Sequence, residues 1–226
     1  MKAKVDLTRD AIVERALAIA DAETLDAVTI RRLGQEFGVT PMALYWHVKN
    51  KDELLDAMGD ALFADLAYET GPDATWDEQL AAVVRALIAA LRKHPGSREL
   101  AYRRVMVCRE GLAIAEHTLG LLRRAGFSRR QTADIATHAL QTAIMLVSSE
   151  PGTEPGYSAD ETAARLAEKR AGIERLPVDD YPYVREMAED MFACDDPEGF
   201  YEFNVHLFVA GARVTLAEHQ TAQSPA

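Results

Sequence analysis

Residues 29–51 read TIRRLGQEFGVTPMALYWHVKNK. Arg31, Thr40, Tyr45, His47, Lys49 and Lys51 place hydroxyl, imidazole, guanidinium and ammonium groups close together in this stretch. Pro41, Met42 and Ala43 lie among them with small or apolar side chains. Such a set has no nucleophile beside a base. What it can do is bind: the cationic and hydroxyl groups suit phosphate oxygens, and the intervening side chains suit the edges of stacked bases. The rest of the chain offers little catalytic chemistry. Its six histidines (47, 94, 117, 138, 206 and 219) are scattered. No HExxH, GxSxG, P-loop or Gly-rich dinucleotide fingerprint occurs, and no metal site has ligand spacing, so neither a metal nor another cofactor is expected.

To present those groups on one surface, two short helices must cross closely. Gly34 supplies a small residue at the crossing, and Gly38 supplies a turn residue tolerant of positive φ. Leu33, Phe37, Val39, Leu44 and Val48 form an apolar wedge that locks the second of these helices in place. Thr40-Pro41 starts that helix, since proline is tolerated at the first helical position. Thr40, Pro41, Met42, Ala43, Tyr45 and His47 then fall on or near its outward face, the geometry by which a helix enters the major groove. Arg31, Lys49 and Lys51 flank that face, and Trp46 is expected to pack between helices. The spacing alone also fits a generic helical hairpin.

The string LYWHVKNK, together with the TIRRLGQEFGV segment before it, resembles the end of the recognition helix in the TetR (tetracycline-repressor) family. The likeness is strong over about residues 8–66. It implies an all-α protein: a three-helix DNA-binding head with a helix-turn-helix, plus a C-terminal helical bundle that binds a ligand and dimerises. By this resemblance Arg31, Thr40, Pro41, Met42, Ala43, Tyr45, His47 and Lys51 match operator-contacting positions. One departure bears on specificity. The tetracycline repressor has glutamine and then proline where this chain has Pro41 and Met42, and proline cannot make the bidentate adenine contact of glutamine. A different operator sequence is therefore expected.

The formal charge of −11 is unusual for a DNA binder until it is divided. Residues 1–51 hold eight Lys/Arg and seven Asp/Glu, or +1, and the remainder holds 17 and 29, or −12. Phosphate attraction is screened within about 10 Å, so a near-neutral head can bind DNA while an acidic body faces away. Residues 1–20 carry acids among their apolar positions, so no signal peptide is expected. No stretch suits a membrane span, and the two cysteines, Cys108 and Cys194, form no CxxC pair. A cytoplasmic protein is expected, with both cysteines as small buried hydrophobes.

Periodicity and punctuation divide the chain into a head, 1–70, and a body, 71–226, split at Gly71-Pro72. Helices are expected from Thr8 to about 23–26, after Thr29, after Thr40 and over 50–68. In the body they are expected over 76–93, 97–107, 109–125, 129–149, 159–175, 183–193 and 197–218, with a frayed tail from Thr221.

The body resembles the tetracycline-repressor C-terminal domain through the Gly126-Phe127-Ser128 junction and the run DPEGFYEFNVHLFVAGARV. Its ligand does not carry over, because FADLAYE and ELAYRRVMV lack a histidine where magnesium-tetracycline would need one. Ile135, Ala139, Leu140 and Ala143 of one helix, with Phe203, Leu207, Gly211 and Val214 of another, are the expected dimer seam. An effector pocket is expected among Tyr102, Met106, Arg109, His117, His138, Gln141, Thr142 and Met145. Taken singly, each of these reads more readily as a structural or surface residue, and Arg109 has Glu110 and Glu116 as pairing partners. The expected partners are double-stranded operator DNA, a second copy of the chain and an unidentified small-molecule effector, with no membrane. The reading is a transcriptional repressor released by its effector. An activator, a corepressor-dependent regulator and, from another class, a helical-bundle enzyme are the alternatives.

Overall fold

The structure is a computed structural model and describes residues 7–154 and 156–223; the last three residues of the expected frayed tail lie outside them. Among the described residues there are helices and no strands. The chain divides into two compact units, one of Met1–Val147 with Leu207–Ala226 and one of Ser148–His206.

The first unit begins with four helices, α1 (Arg9–Ala22), α2 (Ile30–Phe37), α3 (Pro41–Tyr45) and α4 (Lys51–Phe63). Local chemistry fixes their ends. Thr8 Oγ1 accepts from the Ala11 N–H, Thr29 Oγ1 from Arg32 and Asn50 Oδ1 from Glu53, at 3.1, 3.0 and 2.8 Å. Each of these side chains satisfies one of the amides that a helix start leaves without a partner. Ile12, Ala16, Leu33, Leu44, Val48, Leu54 and Met58 build one core with Leu100 from further along the chain. α4 is therefore part of the head's core and not merely a spacer.

Four more helices follow: α5 (Trp76–Lys93), α6 (Arg98–Arg104), α7 (Arg109–Ala125) and α8 (Arg129–Ser148). A second core gathers Leu80, Leu121, Leu122, Phe127, Ala212 and Leu216, with Trp76 edge-on to Phe127 at 5.2 Å between ring centroids. Two elements are shorter than their sequence pattern implies. α4 stops at Phe63 although the apolar pattern continues to Leu66. Leaving the helix lets Tyr68 reach α7, where its ring meets His117 at a tilt, 4.7 Å between centroids. α6 stops at Arg104 instead of 107, because the chain folds back onto α7: a Cβ on Gly111 would lie 2.5 Å from the Val105 carbonyl oxygen.

The second unit holds α9 (Ala159–Glu174), α10 (Pro182–Glu186) and α11 (Ala188–Met191). Ser158 and Glu161 cap α9 reciprocally. Glu154 in the preceding loop accepts from Arg165 and Lys169, at 2.7 and 2.5 Å. The single helix expected over 183–193 is two short ones, broken at Met187. Cys194 is exposed, contrary to expectation, because it sits in irregular chain after α11 with no helix face to bury it; Cys108 is buried as expected. The last helix, α12 (Pro197–Gln223), runs beyond the expected 218. No described helix is long and apolar enough to cross a membrane.

Candidate nucleic-acid interface and effector cleft

The crossing of α2 and α3 is set by two glycines. Gly38 has φ +66°, and its N–H donates to carbonyls of the last turn of α2, while the Val39 N–H reaches the Gly34 carbonyl at 2.9 Å. Only glycine takes this left-handed cap without strain. A Cβ on Gly34 would lie 3.0 Å from the Val39 carbonyl oxygen and 3.8 Å from Leu44 Cδ1, so α3 approaches as closely as a bare backbone allows. Leu33, Leu44 and Val48 are fully buried beneath this turn.

The opposite face of α3 is open. Thr40, Pro41, Met42 and Tyr45 are exposed, and Ala43 and His47 are half-buried. Trp46, expected inside, is 86% exposed. The reason is that α3 ends at Tyr45, so the indole leaves from the turn that follows and points away from the wedge. Met42, Tyr45 and Trp46 stand at helical neighbour spacing on this open side, a spacing that could have marked Trp46 from the sequence.

The head's cations fall into two groups. Arg9, Arg15 and Arg32 are held by Glu53, Glu36 and the pair Glu23/Glu36. Hydrogen bonds from Arg15 and then from Arg32 hold the Glu36 carboxyl below its ordinary range. Arg31, Lys49 and Lys51 are exposed and have no ion-pair partner among the described residues. The Lys49 backbone N–H is fixed by Glu53, at 2.8 Å.

In the body, α5, α6, α7 and α8 enclose a cleft of about 610 Å³. Val83 and Leu87, Tyr102 and Met106, Ile114 and Thr118, and Ala133, Ala136, Thr137 and Leu140 line it. Polar capacity is sparse: Thr118 Oγ1 already donates to the Ile114 carbonyl at 2.8 Å, and Arg103 at the rim pairs with Glu99 at 2.5 Å. Of the eight pocket residues expected from sequence, the cleft gathers Tyr102 and Met106. Arg109 is exposed and paired with Glu110, and His117 lies against the Tyr68 ring. Burial, and then the charge of Arg124, lowers the His117 pKa. His138 and Gln141 line a separate surface groove with Leu207, Phe208 and Gly211; Met145 is exposed and Thr142 half-buried outside the cleft lining. The cleft uses the stripe 133, 136, 137 and 140 of α8, which turns 134, 138, 141 and 145 to the other side.

The same phase corrects the seam. Ala139, Leu140 and Ala143 are buried within the chain, so a second copy cannot reach them as they stand. Phe203, Leu207, Gly211 and Val214 are exposed, and Ile135 is half-buried.

Three ties connect α4 and α1 with the helices around the cleft. Arg104 of α6, itself largely buried, spans Asp52 at 2.8 Å and Asp56 at 2.9 Å on α4. Asp60 of α4 accepts the Glu110 N–H at the start of α7, at 2.9 Å. Asp21 of α1 accepts the Gly96 N–H at 2.8 Å and sits 2.9 Å from His94 Nδ1. No local spacing marks the Arg104 tie, since its partners lie some fifty residues away.

Comparison with known proteins places this geometry. Residues 12–58 match the model for bacterial regulatory proteins of the tetR family, and residues 70–216 match the tetracyclin repressor-like C-terminal domain. The HTH-type transcriptional repressor DrrR1 of Streptomyces coeruleorubidus is 28% identical, over 98% of this chain and 83% of its own. The class A tetracycline repressor of transposon 1721 from Escherichia coli is 28% identical, over 91% and 90%. The TetR family protein ActR of Streptomyces coelicolor, solved in complex with actinorhodin, is 27% identical over 92% of this chain and 95% of its own, with a TM-score of 0.72. Members of this group are dimeric regulators and not enzymes. The chain belongs to the tetR family and is a DNA-binding transcriptional regulator with an all-helical, tetracyclin repressor-like C-terminal domain.

Proposed function

We propose that this regulator is a cytoplasmic repressor whose residues 1–70 grip operator DNA and whose residues 71–226 dimerise and sense an apolar small molecule. On this reading Thr40, Pro41, Met42, Ala43, Tyr45 and Trp46 face the bases. Arg31, His47, Lys49 and Lys51 hold phosphates or flanking bases and fix register. Two heads in a dimer meet half-sites about one DNA turn apart, near 34 Å.

The observation that carries the sensing role is the double use of α6. Tyr102 borders the cleft, as does Met106 in the turn that follows α6, while Arg104 grips Asp52 and Asp56 of α4. A molecule that fills the cleft changes the position of α6, and through Arg104 the tilt of α4 beneath the head. It releases DNA to the extent that it binds the released arrangement more tightly, with about 1.4 kcal/mol of differential affinity for each tenfold loss. That ActR was solved in complex with actinorhodin supports a small-molecule site in a chain of this fold.

The decisive experiment is a gel shift with DNA from upstream of the chain's own gene, followed by a thermal-shift screen of apolar aromatic molecules and a repeat of the gel shift with any that stabilise the protein. A repressor with an inducer loses the shift. A gain of the shift makes the molecule a corepressor instead, and no salt-sensitive, sequence-selective shift on any fragment sinks the regulator reading. Tyr45→Ala should weaken DNA binding about tenfold and leave the dimer intact; a loss of the dimer would place Tyr45 elsewhere.

A further inference from the structure

The face that α3 presents contains no side chain able to read adenine or guanine by paired hydrogen bonds. Between Thr40 and Val48 there is no Arg, Lys, Asn or Gln. The nearest amide, Asn50, is already used: its Oδ1 accepts the Glu53 N–H at 2.8 Å. What the face does present is apolar. Met42 is 69% exposed, Tyr45 45% and Trp46 86%, and Pro41 beside them is exposed and has no N–H to donate. Exposed large apolar side chains grouped in this way mark a surface that is covered in use. In the major groove the one apolar feature on a base edge is the C5-methyl group of thymine.

We infer that α3 reads its operator through thymine methyl groups, with Pro41, Met42 and Trp46 packing on a run of thymines in each half-site. This inference rests on the DNA-binding reading above and goes further, to the class of sequence recognised. Arg31 completes the pattern. It is the described arginine of the head without a carboxylate partner, and its planar fork matches guanine O6 and N7. The expected half-site is thus a thymine-rich core with a guanine toward the start of α2. Specificity comes from methyl contacts and shape, and phosphate contacts from Lys49 and Lys51 supply affinity without sequence.

The test deletes the methyl groups and keeps every hydrogen bond. The full-length dimer selects fragments from a random duplex library, and the winners are resynthesised with deoxyuridine for thymidine in the half-site cores. Burying one methyl group corresponds to about a threefold to fourfold gain in affinity, so replacing two or three per half-site should weaken binding at least tenfold. Met42→Ala and Trp46→Ala should each shrink that penalty, because the methyl groups lose their partners; both side chains are exposed, so folding is spared. Equal binding of the thymine and uracil duplexes overturns the inference while leaving sequence-specific DNA binding intact. So does a full uracil penalty that survives in both variants. If the library yields no enriched sequence at all, the regulator reading falls and this inference falls with it.

Discussion

The helix-turn-helix turns its side chains outward from a backbone fixed by near neighbours, whereas the cleft of the body collects its lining from four helices distant in sequence. Gly34, Gly38, Leu44 and Val48 all lie within one short stretch, and together they decide how α3 is held. Val83, Tyr102, Ile114 and Leu140 share a cleft only because α5 to α8 have packed. A region built on local contacts fails at single positions. A region built on long-range packing is tuned gradually. Changes in the first should therefore abolish DNA binding while sparing the cleft, and changes in the second should alter response while sparing DNA binding.

The largest effect is expected from Gly34→Val. Its Cβ would press on the Val39 carbonyl at 3.0 Å, and the branch has nowhere to go beside Leu44. Overpacking of this kind costs about 1–3 kcal/mol. Operator affinity in a gel shift should fall at least a hundredfold, because α3 is displaced from its angle. Pyrene, an apolar probe for the cleft, should still bind within about twofold of the parent. If pyrene binding fell as far as DNA binding, the two regions would not be separable. Gly38→Ala is the milder form, with a left-handed cap strained by about 1–2 kcal/mol.

This locality is also why the head was legible in the sequence. Thr29, Gly38 and Asn50 are caps that act on residues three or four away, so their roles could be read from spacing. Trp46 shares helical spacing with Met42, yet its direction also depends on α3 ending one residue earlier, which the spacing does not give. In the body, an all-helical bundle gives one helix apolar residues on more than one side. α8 carries Ala139, Leu140 and Ala143 inward and His138 and Gln141 on a surface groove, and an apolar periodicity cannot say which side meets its own chain. The pairing of Arg104 with Asp52 and Asp56 had no local signal at all.

Filling the cleft should give the opposite result to Gly34→Val. Ala133 lines the cleft yet is exposed, so Ala133→Trp can place an indole there without entering a packed core. Pyrene affinity should fall more than tenfold in a fluorescence titration, with operator binding unchanged. Loss of operator binding instead would show that the cleft's shape is already part of the DNA-bound arrangement.

Arg104→Ala tests the link between the two regions. It leaves Asp52, which is largely in solvent, and Asp56 without their cation, so the stability loss should be modest, about 1 kcal/mol. Operator affinity without ligand should stay within about threefold. A ligand's power to release DNA should drop about fivefold, the size of a weak allosteric coupling. Unchanged release would assign the transmission to the two remaining ties, Asp60 with Glu110 and Asp21 with Gly96 and His94.

The smallest effect concerns pH, and it separates the regions by their acid ties. In the body, burial pushes the Asp77 carboxyl up. Hydrogen bonds from Thr75 and from Arg213, whose Nε lies 2.6 Å away, outweigh this and hold it below the ordinary carboxylate range. A carboxyl lowered on folding stabilises the protein above its unfolded value, near pH 4. That contribution is lost as pH falls through the lower folded value. Arg213 is half exposed, so screening limits the pair to about 0.5 kcal/mol. Asp77→Asn should therefore melt slightly below the parent at pH 7, and the two melting curves should converge as the pH is taken down to about 3. Glu36 of the head, lowered by Arg15 and Arg32, follows the same sign, so the melting curves of Glu36→Gln and the parent should show the same convergence. If Asp77→Asn impaired DNA binding at pH 7 as much as Glu36→Gln, the pair between α12 and the start of α5 would be supporting the head as well as the body, and the division of labour between local and long-range contacts would need to be redrawn at that point.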